Sequence, residues 1–307
     1  MAPRVFWIGL GNMGRGMCKN LVEKGNLDQP LMLYNRSVQR ATELSKTLPA
    51  GKTEVVDSIE AGVAKADVIF TCVANDAAVK ETHAAALKGD VKGKLFVDCS
   101  TIHPDTTELL AKGVLARGAE FVAAPVMGAP AAADAGQLIG LLAGPRASVE
   151  RARPYFKGVM ARAEVDLADQ PCQKASMLKV ISNTFILNMV EQLSEGYVLA
   201  EKTGLGPGYL QQVVDALFGG VYSGYSKRML EGDYHTREEP LFAVDLARKD
   251  AGHAMKLAEA AGVKLPNVET GDAHLVRLKE HVGEKGDIAG IYGAVRLENG
   301  LKYENDA

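Results

Sequence analysis

The stretch that decides the fold is "RVFWIGLGNMGRGMCKNLVEKG", residues 4–25. It opens with a short apolar run, turns on Gly9-Leu10-Gly11-Asn12-Met13-Gly14, and continues as an amphipathic helical pattern. Each glycine in this register has its own duty. The first permits a tight turn, the second lets backbone approach a pyrophosphate, and the third lets the helix pack on the strand. The helix N-terminus then turns its N–H groups toward the anion. Strand, turn and helix in this order predict a dinucleotide site made by Gly9, Leu10, Gly11, Asn12, Met13 and Gly14.

Working outward, "LMLYN" (31–35), "DVIFTCV" (67–73), "KLFVDCS" (94–100), "EFVAAPV" (120–126) and "LIGLLAG" (138–144) read as further strands, with helical patterns between them. "HPDTTELLAKGVLARG" shows Pro104 and Asp105 in its first turn and Gly118 just past its end. Alternation at this spacing predicts a parallel sheet with right-handed crossovers. Near residue 168 the character changes. A helical pattern runs from about 174 to 202, followed by others at about 207–218, 241–262 and 267–282, with no convincing strand. The expected fold is α/β. A doubly wound Rossmann domain (1–168) precedes an all-helical domain (169–307), which carries substrate and subunit contacts. A long interdomain helix joins them.

Composition removes several alternatives. Thirty-five basic against 38 acidic residues leave a net charge of −3 with no basic block, so no nucleic-acid partner is expected. No run reaches the roughly 18 apolar residues of a membrane span, and the first strand leaves no room for a cleaved leader. Cys18, Cys72, Cys99 and Cys172 are widely spaced and read as reduced apolar residues. The histidines show no metal-ligand spacing with one another or with the cysteines, so no metal is expected. A cytoplasmic protein without a membrane partner is the expectation.

The second strand ends in Asn35, Arg36 and Ser37, with Arg40 a turn later. A carboxylate at this position would accept from ribose hydroxyls and repel a 2′-phosphate. A guanidinium with two short hydrogen-bonding groups suits the phosphate, although Arg36 read alone is also an ordinary solvated loop residue. NADP(H) is therefore expected over NAD(H). Val73, Ala74 and Asn75 end another strand at the carboxyl edge of the sheet, where small residues leave room for the nicotinamide-side ribose.

"SMLKVISNTF" (176–185) raises a different question. Lys179 sits among apolar neighbours, and Asn183 follows one turn on, on the same helical face. Either the lysine snorkels to water, or the fold holds it in a pocket for use.

Five segments, in order along essentially the whole chain, resemble the β-hydroxyacid dehydrogenase family, which includes 3-hydroxyisobutyrate dehydrogenase and glyoxylate or succinic semialdehyde reductases. They are "GLGNMGRGMCKNLVEKG", "DCSTIHPDTT", "FVAAPVMGAPAAADAGQLIGLLAG", "KVISN" and "LARKDAGHAMKLAEAAG". The resemblance implies that Ser100 and Thr101 cradle a substrate carboxylate, with Thr101 also beside the cofactor. Read without it, the two residues are caps for the helix after Pro104. Where the family usually reads Pro-Val-Ser-Gly-Gly, this chain has Pro125-Val126-Met127-Gly128-Ala129. Met127, Gly128 and Ala129 would still line the substrate. Met127, however, replaces a hydroxyl with a soft apolar chain and points to a more apolar pocket.

"KVISN" matches the family's catalytic K-x-x-x-N, which makes Lys179 the general acid/base and Asn183 its aligning partner. The glycines usual six and four residues before the lysine are Gln173 and Ala175 here. Reduction of a carbonyl leaves an alkoxide-like oxygen that an ammonium stabilises and protonates. The resemblance further places Lys249 against the cofactor, held by Asp250. His103, inside the substrate loop, is a rival proton donor, although a histidine between Ile102 and Pro104 is more often a loop residue with a local hydrogen bond. His253, near the Lys-Asp pair, reads as pointing along its helix. Tyr222, Tyr225 and Arg228 are candidates for a substrate cleft, a subunit contact or plain surface packing.

The expected activity is NADP(H)-dependent interconversion of a small β-hydroxy acid and its aldehyde or keto form. One alternative is an imine reductase on the same scaffold, against which Lys179 argues and for which Met127 and an apolar pocket argue mildly. The other is a non-catalytic dinucleotide-binding scaffold, against which Lys179 and Asn183 together argue. Helix length and the resemblance together imply a homodimer or homotetramer.

Overall fold

In the first strand Val5 and Trp7 enter one apolar cluster while Phe6 and Ile8 enter another, and all four are buried. Successive side chains of a strand point to opposite faces. A sheet buried on both faces therefore reads as a continuous apolar run. The computed structural model, which describes residues 2–305, builds this pattern into a nine-stranded sheet. β1 (Val5–Ile8), α1 (Asn12–Lys24), β2 (Leu31–Tyr34), α2 (Val38–Thr47), β3 (Thr53–Val55), α3 (Ile59–Lys65) and β4 (Val68–Thr71) alternate strictly. The alternation continues through α4 (Asp76–Ala86), β5 (Leu95–Asp98), α5 (Pro104–Ala116) and β6 (Glu120–Ala123). β7 (Val126–Met127), α6 (Pro130–Ala135), β8 (Leu138–Gly144), α7 (Arg146–Ala152) and β9 (Ala161–Ala168) complete the unit.

Strand order is β3-β2-β1-β4-β5-β6-β8-β7, with β9 paired to β8. The 3-2-1-4-5-6 portion is parallel and doubly wound. The expectation of a wholly parallel sheet is corrected beyond β6, where β8 runs antiparallel to both β6 and β7. Only residues 128–137 separate β7 from β8, with a six-residue helix inside. A parallel return needs a crossover of a dozen or more residues. The run 120–126, expected as one strand, breaks at Ala124-Pro125 into β6 and β7. β3 and β9 had no clear sequence signal. β3 has three residues, and β9 carries Arg162, Glu164 and Asp166 along a strand paired only to β8. Charge on an edge strand discourages further pairing.

The helical part comprises α8 (Gln173–Lys202), α9 (Pro207–Leu217), α10 (Gly220–Leu230), α11 (Asp233–Thr236), α12 (Val244–Ala261), α13 (Pro266–Val282) and α14 (Ile291–Glu298). Its own core gathers Leu187, Val190, Tyr197, Leu275, Leu278 and Tyr292. At 30 residues, α8 is about 45 Å long. Strand structure ends at Ala168, yet by packing the first compact unit extends to Lys179 and the second begins at Val180. The first turns of α8 stay with the sheet because Ala175 and Leu178 enter its core. The Ser176 and Thr107 hydroxyls also lie 2.6 Å apart in a buried hydrogen bond. Among the described residues, no helix is long and apolar enough to cross a membrane.

Candidate active site

The α/β unit shows why the glycine loop has its composition. Gly9 has φ +101°, and a methyl group there would fall 2.2 Å from the Cys72 carbonyl oxygen. A methyl at Gly14 would fall 2.2 Å from the Gly9 carbonyl oxygen. The chain itself demands these two glycines. Gly11 differs: its φ is −72°, and nothing lies within 4 Å of where its methyl would be. That open space is where a pyrophosphate needs close backbone. No described side chain caps α1, and its first turn carries no acidic residue. Its N-terminus is therefore suited to an anion, and the loop fits a dinucleotide.

Neighbouring side chains hold the loop in this shape. Trp7 Nε1 donates to the Gly9 carbonyl at 2.8 Å while its ring stacks on Phe70. Leu10 N–H donates to Asn35 Oδ1 at 2.9 Å, and Asn35 Nδ2 donates to the Ser37 carbonyl at 3.0 Å. Asn35 thus braces the glycine loop against the end of β2, and Arg36 and Ser37 stand exposed beside it. Trp7 was not expected to take part. Burial raises the Cys18 and Cys99 thiols well above their ordinary value, so they act as apolar packing groups.

The loops after β4 and β5 are stitched together. Val73 N–H donates to Ser100 Oγ at 3.0 Å, Ser100 N–H to Asp98 Oδ1 at 2.7 Å, and His103 N–H to Asp76 Oδ1 at 3.0 Å. Asn75 Oδ1 caps α4 by accepting from Ala78 N–H at 2.9 Å. The reading of Ser100 and Thr101 as helix caps is corrected, because the residue capping α5 is His103, whose Nδ1 accepts from Asp105 N–H. The helix begins at Pro104, so the cap position falls on the residue just before it. Thr101 is half-buried and Ser100 buried. An oxygen that accepts from Val73 keeps a hydroxyl proton to donate. Gly128 has φ +137°, and a methyl there would fall 2.7 Å from Leu138 Cδ2. Met127 packs against the sheet's second core, and exposed Ala129 precedes α6.

On α8, Lys179 is 7% exposed and Asn183 lies one turn farther along. Within the helical unit, Asn183 Nδ2 donates to Asp250 Oδ2 at 2.6 Å, and Lys249 Nζ stands 3.1 Å from Asp250 Oδ1. Asp250 is 6% exposed. One buried carboxylate thus orients the asparagine amide and is neutralised by the neighbouring ammonium. Asn183 and Asp250 line a small pocket walled by Leu187, Phe242 and Ile288. The Asn183–Asp250 bond spans 67 residues, and no local pattern announces it. Tyr225 and Arg228 lie in α10, with the guanidinium 5.3 Å from the tyrosine ring centroid. Among the described residues, no three His, Cys, Asp or Glu side chains form a group able to hold a metal.

A doubly wound sheet with this glycine loop, followed by a helical unit, defines a nicotinamide-dinucleotide oxidoreductase. Residues 4–168 match the family model described as the NAD binding domain of 6-phosphogluconate dehydrogenase. Residues 174–295 match that of the NAD-binding region of NADP-dependent 3-hydroxyisobutyrate dehydrogenase. Over 292 residues the chain is 36% identical to the NADH-dependent oxidoreductase ucdB of Aspergillus ustus, covering 95% of this chain and 98% of that one. The structure of 3-hydroxyisobutyrate dehydrogenase from Mycobacterium tuberculosis with L-serine superposes with TM-score 0.79 at 23% identity, covering 96% and 100% of the two chains. An imine reductase from Pseudomonas sp. does so with TM-score 0.60 at 20% identity, covering 96% and 99%. At those identities the likeness is one of fold. The chain belongs to the β-hydroxyacid dehydrogenase family, as an NAD(P)-dependent dehydrogenase acting on CH–OH groups.

Proposed function

We propose that the protein interconverts a small β-hydroxy acid and its aldehyde or keto form using NADP(H), with Lys179 as the proton donor and acceptor. The observation that carries this reading is a lysine only 7% exposed, one turn from an asparagine whose amide is set by a buried carboxylate. Such lysines are rare unless they are paired or used. The bound nicotinamide supplies hydride to the carbonyl carbon, or takes it up in the reverse direction. As the carbonyl oxygen gains electrons, the Lys179 ammonium stabilises it and gives up a proton, leaving a neutral amine and an alcohol. In oxidation the amine removes the hydroxyl proton. Asn183 aligns the reacting oxygen. Ser100, Thr101 and the Gly128 backbone receive the carboxylate, with Met127 and Ala129 beside it.

For the cofactor, Gly9 to Gly14, Val73 to Asn75 and Lys249 make the general site. Asn35, Arg36 and Ser37 supply the preference for a 2′-phosphate. The relative named for NADH dependence makes this preference the first thing to measure. Met127, standing where the family usually has serine, favours a second reading, reduction of a cyclic imine. The test is oxidation of NADPH, with NADH alongside, against small aldehyde-acids, ketones and cyclic imines, in wild type and Lys179→Ala. Reduction of aldehyde-acids by wild type alone supports the reading. Imine reduction that survives the substitution overturns it.

The same reading makes the protein a cytoplasmic homodimer or homotetramer. Phe185, Leu199, Tyr209, Val213 and Leu217 are each more than half exposed on α8 and α9, and apolar surface on this scale marks an interface. A monomeric mass by light scattering at micromolar concentration would contradict it.

A further inference from the structure

Arg228 has no part in proton transfer, yet it stands at the centre of a charge cluster. Its Nη2 is 2.8 Å from Asp287 Oδ1, and its Nε donates to Asp233 Oδ2 at 2.8 Å. Asp233 also accepts from Arg237 Nη2 at 2.5 Å. Asp287 is 1% exposed and gathers three backbone donors and one guanidinium. Leu241 N–H (2.8 Å) and Phe242 N–H (3.1 Å) reach Oδ2; Ala289 N–H (2.9 Å) and the Arg228 guanidinium reach Oδ1. A buried carboxylate is tolerated when it is charge-paired and accepts backbone N–H groups in this way.

What the cluster holds is the strap 237–243 between α11 and α12, which forms no helix. One end is fastened through Arg237 to Asp233 and the other through Leu241 and Phe242 to Asp287. Arg228 ties the two carboxylates together. Ile288 N–H donates to the Phe242 carbonyl at 2.9 Å, and Val244 N–H to the Gly286 carbonyl at 2.8 Å. The Phe242 backbone is thus gripped on both its polar atoms, and its side chain walls the pocket that contains Asn183 and Asp250.

We propose that Asp287, charge-paired with Arg228, is a positioning residue for the substrate. By gripping the Leu241–Phe242 backbone it sets where Phe242 packs beside Asn183 and Asp250, and so how the Asn183 amide is presented to the substrate. This inference rests on the reading of Lys179 and Asn183 as the reacting centre. Asp287 acts through Phe242 and touches no reacting atom.

The test is Asp287→Asn, which keeps shape and one acceptor oxygen but loses the charge. KM for the aldehyde-acid should rise about tenfold, the scale of one charge-assisted hydrogen bond. The rate constant kcat and the Kd for NADPH should stay near wild type. In a Phe242→Ala background the same substitution should raise KM no further, because the two act as a unit. A KM that does not move, or an effect that persists undiminished in Phe242→Ala, would overturn the positioning role. Arg228→Lys removes the guanidinium fork that bridges the two carboxylates. If Asp287→Asn does not fold, it carries the test, and the more exposed Asp233→Asn carries it beyond that. Lys179→Met run alongside separates the two claims. If that variant still reduces carbonyls, the underlying reading fails. If it is inactive while Asp287→Asn keeps its KM, only the positioning role fails.

Discussion

The glycine loop and the helical pocket are built by opposite means. In the loop the constraints are steric and local. Gly9, Gly11 and Gly14 lie within six residues; Gly9 and Gly14 are required by backbone that passes within 2.2 Å of where a methyl would stand, and Gly11 faces open space. In the pocket the constraints are polar and distant. Asp250 reaches back 67 residues to Asn183, and Asp287 reaches back 46 to Leu241. Binding a common cofactor uses a backbone shape that many sequences share. Choosing and aligning a substrate uses side chains that converge only after folding.

This contrast can be broken most directly inside the loop. Gly9→Ala places a methyl against the Cys72 carbonyl at a φ of +101°. Strain of this kind is worth about 3 kcal/mol, so Tm should fall by roughly 10 °C. Gly11→Ala meets nothing within 4 Å. It should keep the wild-type Tm while Kd for the dinucleotide, read by fluorescence titration, weakens at least about tenfold. Equal thermal losses in the two variants would mean that the space beside Gly11 is not kept for a ligand.

A smaller effect sharpens the other half. Asp250→Ala leaves the Asn183 amide unaligned and the Lys249 ammonium without its carboxylate. Turnover of the aldehyde-acid should drop about 100-fold in kcat/KM, the scale of a misplaced aligning group, with dinucleotide affinity changed far less. If affinity fell as much as turnover, the pair would belong to cofactor binding instead.

The division also explains what was legible beforehand. The strands β1, β2, β4 and β5 could be read because each opens with at least three consecutive buried apolar residues between turns. The long helix could be read at nearly its full extent. The antiparallel turn at β8 could not, since strand direction depends on the length of a connection whose helix is short. Lys179 and Asn183 were visible through their i, i+4 spacing and the family pattern. The bond from Asn183 to Asp250 was not, because nothing near either residue announces a contact so far along the chain. Ser100 was visible as a residue type, but its bond to Val73 appears only when two strands end side by side.

The smallest predicted effect lies in the frame behind the pocket. His274 stands 2.8 Å from both Glu191 and Glu298. Its pKa is raised above the ordinary 6.5, chiefly by the Glu191 hydrogen bond and also by Glu298, against the cost of burial. The folded protein therefore binds this proton more tightly than the unfolded chain does. The added stability is fully present below pH 6.5 and is lost as pH rises through the folded pKa. Relative to His274→Gln, wild-type Tm should decline over that interval by no more than about 3 °C. A relative increase would mean that the histidine is held neutral.

The central claim is that Lys179 moves the proton and does not hold the cofactor. Single-turnover oxidation of bound NADPH by an aldehyde-acid, in wild type and Lys179→Met with Kd for NADPH measured in parallel, tests it most directly. The account predicts an unchanged Kd and a rate lower by about 10²–10⁴-fold. A rate near wild type, or a loss that follows weakened NADPH binding, would contradict it.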